Sequence, residues 1–181
     1  MQYNRLTLGV ALALLASQPV TASETEPLVC RPGQTHATLT GGYAITHPVN
    51  DIRQVGRICL TLSDDQGQTV FHQCGALNGQ IKAVDPYTGA PSQLSHRAVF
   101  PTEELFQTAG DTVTYFYPTD PNDPAPCAFN VGEVFNHVKV GTGIFHRGQL
   151  RVEAHGLMDF CSELPTNTFD LTGEACLNLG H

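Results

Sequence analysis

The chain predicts an all-β protein: a single antiparallel β-barrel of about eight strands, stabilised by disulfides, with a β-sandwich as the alternative. Three observations predict it. Apolar and polar residues alternate with period two over most of the length. Turn-rich clusters interrupt the alternation at short intervals. Six cysteines follow an N-terminal segment built like an export signal, an even count that reads as three disulfides.

The first 22 residues have one positive charge near the start, Arg5, then an apolar run from Leu6 to Leu15. Pro19 breaks the run, and the small residues Val20-Thr21-Ala22 form a cleavage site. This is the order of a secretory signal peptide, and the run is too short to span a bilayer, which needs about 20 residues. Residues 23–29 read as a loose leader and 30–181 as one all-β domain. The expected location is secreted or periplasmic, outside the cytoplasm.

The strands follow in order. "THATLTGGYAI" alternates from Thr35. "RICLTL" and "TVFHQC" flank the turn "SDDQG", and a loop over residues 65–68 sets Cys59 opposite Cys74. "GQIKAV" and "QLSHRAVF" flank "DPYTGAPS", again a hairpin. "DTVTYFYP" stops at Pro118 and the acidic loop "TDPNDPAP". "CAFNVGEVFNHVKV" leads into "KVGTGIFHRGQLRVEAHGLMDFC", which reads as two strands joined by a glycine turn. "TNTFDLTGEACLNL" closes a set of eight or nine strands rich in Val, Thr, Phe and Tyr. Exposed edges invite aggregation, so the pattern demands a closed or doubly layered sheet. Gly132, Gly148, Gly156 and Gly173 stand where a barrel can bend. One short helix is expected in "PTEELFQTAG", opened by Pro101-Thr102 and ended by Gly110.

Cys59 and Cys74 have fourteen residues between them, as do Cys161 and Cys176. These spacings lead to Cys59–Cys74 and Cys161–Cys176, leaving Cys30 with Cys127. No CxxC or CxC pair supports zinc.

"GTGIF" at Gly141–Phe145, followed by Arg147-Gly148, resembles the glycine hairpin of the allene oxide cyclase and dirigent barrels. The resemblance covers about a dozen residues, and the Arg-Gly follows the Phe sooner than in dirigents. It implies an eight-stranded antiparallel barrel with an interior cavity, and it carries over no catalytic residue.

Nine basic against 17 acidic residues, with no basic stripe, exclude a nucleic-acid partner and disfavour anionic membrane surfaces. No later stretch suits a membrane helix. GxSxG is absent and Ser95 and His96 face opposite ways on a strand, so nucleophilic hydrolysis is disfavoured. None of the eight histidines stands as HxH, HxxxH or HExxH. No metal and no cofactor is assigned.

Arg151, Glu153 and His155 share one face of a strand, and Leu150, Val152 and Ala154 the other. Glu133 and His137 share a face of the preceding strand. Facing a cavity, these five would bind an anion or move protons; facing water, they form a cross-strand charge ladder. Three functions remain open. One is a barrel binding a small apolar or amphipathic ligand. The second is a barrel enzyme of the cyclase or isomerase type. The third is a surface or matrix protein that binds another protein.

Overall fold

Cys59 and Cys74 face each other across the hairpin of β2 (Arg53–Asp64) and β3 (Thr69–Val84), and are joined by a disulfide, as their spacing predicts. The computed structural model describes residues 27–135 and 137–180. The expected signal peptide and residues 23–26 of the expected leader lie outside them.

The alternating segments fold into ten strands. Besides β2 and β3 they are β1 (Thr35–Asn50), β4 (Pro91–Val99), β5 (Leu105–Thr108), β6 (Asp111–Pro118), β7 (Ala128–Phe135), β8 (Val138–Thr142), β9 (Gln149–Asp159) and β10 (Thr166–Leu177). Eight of them close a ring in the order β1-β2-β3-β4-β6-β7-β9-β10, every neighbour antiparallel, with β10 returning to β1. The fold is therefore an antiparallel barrel and not a sandwich. β5 leaves the ring to pair with β4, and β8 pairs with β5.

Three expectations are corrected. Residues 101–110 form no helix. Glu103 takes a positive φ of 68°, which breaks a helix at its first turn. Leu105–Thr108 alternate in burial with period two, and Phe106 and Thr108 point inward. Pairing with β4 and burial of Phe106 outweigh the helix-start signals.

The second correction concerns the glycine turn. "GTGIF" ends β8 and enters a 3-10 turn (Gly143–Phe145), but β8 does not pair with β9. β9 lies between β7 and β10, and Glu133 stands opposite Ala154. The 3-10 turn carries Phe145 into the end of the barrel, where it meets Phe71, Phe100 and Phe106 with centroids 5.2–6.0 Å apart.

The third correction is in the disulfides. The chain forms Cys30–Cys176 and Cys127–Cys161, not Cys161–Cys176 and Cys30–Cys127. Cys176 stands opposite Gln149, whereas Cys161 follows the other end of β9. Ten residues of strand separate Gln149 from Asp159, roughly 33 Å at about 3.3 Å each, so equal spacing in sequence does not bring this pair together. Cys127–Cys161 instead ties the loop after β6 to the loop after β9. Cys30–Cys176 holds the N-terminal approach against β10. Within that approach, the Leu28 N–H donates to Glu174 Oε2 at 2.9 Å.

The interior is filled at one end by the four phenylalanines and hollow at the other. Along β9, Leu150, Val152 and Ala154 are buried, while Arg151 and Glu153 are half-buried and His155 exposed on the outer face. No helix among the described residues is long and apolar enough to cross a membrane.

Val152 is 2% exposed in the core, so Val152→Asp buries an unpaired charge. The variant should lose about 3 kcal/mol or more in urea unfolding. An unchanged midpoint would place this face of β9 outside.

Candidate functional site

A lone histidine and a lone glutamate stand on otherwise apolar strand faces. On β4, Leu94, His96 and Ala98 share the inner face; on β7, Val131, Glu133 and Phe135 do. β6 runs between them and begins with Asp111. The barrel's curvature brings the three polar side chains together, with His96 3%, Asp111 0% and Glu133 4% exposed.

His96 Nδ1 lies 2.9 Å from Asp111 Oδ2 and 3.2 Å from Glu133 Oε1. A ring nitrogen has one hydrogen at most, and here its direction fits Asp111. Glu133 Oε1, off that line, has no hydrogen-bond donor, and neither has Asp111 Oδ1. Thr108 Oγ1 also donates to Asp111, and the His96 backbone N–H donates to Thr108 Oγ1 at 2.9 Å. The Phe135 ring stacks on the imidazole at 4.6 Å. Asp111 is thus held by β4 and β5, and Glu133 is the member of the group that lines the cavity.

Electrostatics follow from burial. Desolvation pushes the Glu133 carboxyl up to about 7; the Asp111 charge adds to this and His96 opposes it. For His96, burial alone would lower the pKa, but Glu133 and Asp111 outweigh it and raise it. The three ligand atoms lie within 4.8 Å of one another, a spacing that a divalent ion can span. An ion on Nδ1 would have to break the His96–Asp111 hydrogen bond.

The polar layer continues around the interior. Asn167 of β10 and Thr46 of β1 are buried, and both donate to Gln54 Oε1, at 2.8 and 2.6 Å. That fixes the Gln54 amide with its oxygen toward them. Its Nε2 lies over Gly79, next to His96 Nε2, where a Cβ on residue 79 would come within 2.9 and 2.8 Å of the two nitrogens. Asn167 Oδ1 has no donor.

Between this layer and the open end lies a cavity of about 490 Å³. Gln54, Glu133 and Asn167 form its polar floor, and Leu94, Val113, Phe116, Val131, Met158 and Phe169 its walls. Val49, Ile52 and Val84 at the mouth are more than half exposed.

Of the five residues that sequence reasoning favours, Glu133 alone reaches the interior. Arg151 binds Glu174 at 3.1 Å and His155 approaches Glu153 at 3.3 Å, all on the outer wall. The Tyr115 hydroxyl hydrogen-bonds His155 Nδ1 at 3.1 Å, also outside. His137 is exposed beyond the end of β7. The trio is a solvated ladder whose pairs contribute tenths of a kcal/mol each. His96 and Asp111 complete the buried group. For His96 the signal was present, a polar residue on the apolar phase of "QLSHRAVF"; Asp111 opens the strand "DTVTYFYP", where an end residue carries no such signal.

No protein-family model matches the chain, and no curated protein or solved structure matches it either.

The raised Glu133 pKa has a sign that can be checked. The folded state holds this proton more tightly than the unfolded chain, so stabilisation is complete below about 4.5 and is lost as pH rises through about 7. At about 1.4 kcal/mol per unit, the group contributes a change of about 3 kcal/mol over that window. His96, also raised, acts in the same direction. Urea unfolding across this range should show stability falling with pH, and Glu133→Gln should flatten the slope. Parallel wild-type and variant profiles would refute it.

Proposed function

We propose that this chain binds a small amphipathic molecule in the hollow half of its barrel. The observation that carries the reading is a cavity of about 490 Å³ with apolar walls and a polar floor of Gln54, Glu133 and Asn167. Cavities of this size suit small organic ligands. The apolar body of the ligand lies against Val113, Phe116, Val131 and Met158, and its polar end meets the floor. Exposed apolar residues at the mouth favour entry of such a molecule over a sugar or an ion.

Three intramolecular disulfides support an oxidising, extracytoplasmic setting. In this reading residues 1–22 are the export signal, and the domain works in the periplasm or after secretion. The eight-strand ring and its cavity are the architecture that a relation to the cyclase and dirigent barrels implies, so the proposal includes that relation for the fold alone.

Protein purified from its natural compartment should retain a small organic molecule in native mass spectrometry. After extraction, phenylnaphthylamine, a small apolar dye, should bind one to one with a fluorescence increase. Val113→Trp, which fills the cavity, should weaken dye binding tenfold or more. Equal dye binding by this variant and the wild type would exclude the cavity as the site. Absence of both retained ligand and dye binding would favour the surface-interaction role.

A further inference from the structure

We propose that Glu133 is a proton-transfer catalyst, and that the molecule taken into the cavity is a lipophilic carbonyl compound whose carbon–carbon double bond it shifts. This rests on the cavity being the binding site. Two geometric facts carry it. Glu133 lines the cavity and also stands against His96, whose Nδ1 lies 3.2 Å from Glu133 Oε1. That Oε1 accepts no hydrogen bond, so the carboxyl is not consumed by a structural one.

The step balances without a co-reactant. The carboxylate of Glu133 takes a proton from the carbon between the carbonyl and an isolated double bond. The C–H electron pair becomes the new carbon–carbon double bond of a dienolate, and negative charge moves onto the carbonyl oxygen. The proton now on Glu133 returns to the far carbon of the original double bond. The product is the conjugated isomer, with no net oxidation or reduction. Apolar walls suit both the substrate and the reaction, because a carboxylate stripped of water is a stronger base.

The groups that face Glu133 make it suitable for both halves of this cycle. β4 presents His96 and β6 presents Asp111. Asp51 and Arg53 stand at the cavity mouth. On β9, the neighbour on the other side, the inward residues near it are Ala154 and Met158, which do not titrate. Burial and Asp111 hold the Glu133 proton to about neutral pH, so acid and base forms are both populated there.

The test uses the full folded domain and a β,γ-unsaturated cyclohexenone, whose conversion to the conjugated enone is read by ultraviolet absorbance. Wild type should accelerate the conversion above buffer, with kcat/KM rising with pH and levelling above about 7. Glu133→Gln should lower the rate about a hundredfold or more while the variant still unfolds cooperatively in urea. Val113→Trp should lose both rate and dye binding. If the dye binds and the wild type does no better than buffer, or Glu133→Gln keeps the wild-type rate, proton transfer is overturned while the binding role stands. If the dye does not bind, the binding role itself fails.

Discussion

Closure of the ring is the constraint on which the rest of this molecule depends. Among the described residues no α-helix is available to cover a sheet edge, so the ring strands find both neighbours among themselves. Pairing of β1 with β10 joins the two ends of the domain, and Thr46 comes to stand opposite Asn167. Strong local bending is needed for this, and Gly173 supplies it in β10 with a φ of 145°. There a Cβ would sit 2.1 Å from the Arg151 carbonyl oxygen, so only glycine lets β10 approach β9.

A closed barrel has an interior whose contents decide what it does. Phenylalanines fill the end below the polar layer, and the residues above it leave a cavity whose walls include Ile81, Leu94, Val113 and Val131. The polar layer at the boundary is costly, since each group there has given up water. Asp111 and Gln54 recover that cost through bonds to Thr108, His96, Thr46 and Asn167. Asp111 Oδ1 is left without a donor, and so are Glu133 Oε1 and Asn167 Oδ1. A fold selected only for stability would have placed valine or leucine at positions 133 and 167.

The all-β architecture was legible because period two is a local signal. "RICLTL" and "TVFHQC" show it plainly, and the short turn between them fixes a register that sets Cys59 against Cys74. Long-range partnerships were not legible in this way. "KVGTGIFHRGQLRVEAHGLMDFC" looks like a hairpin, but β8 is drawn to β5 by the burial of Phe145 beside Phe106. That choice depends on residues about forty positions away in sequence, and no local pattern reports it. Cys127 and Cys161 meet for a similar reason, because β7 and β9 are neighbours in space with β8 between them in sequence. The favoured trio on β9 lies on the outer wall, because charge density on one strand face is the ordinary mark of the wet side. Glu133 reaches the interior because it shares its phase with Val131 and Phe135. A polar residue on the apolar phase is the more informative signal, and His96 beside Leu94 and Ala98 carries it as well.

Burial makes the same carboxyl unfavourable for stability and useful for chemistry. Water would hold Glu133 ionised near neutral pH; the apolar cavity and the Asp111 charge hold it protonated. The imidazole of His96 works against them, and its hydrogen bond to Asp111 keeps it at a fixed distance from Glu133 Oε1. Three adjacent strands, β4, β6 and β7, thus set the proton affinity of one group. A ligand that donates a hydrogen bond to Glu133 favours its ionised form, and one that accepts from it favours the protonated form. In the proposed binding role, the polarity of the bound molecule would therefore feed back on the charge of the floor.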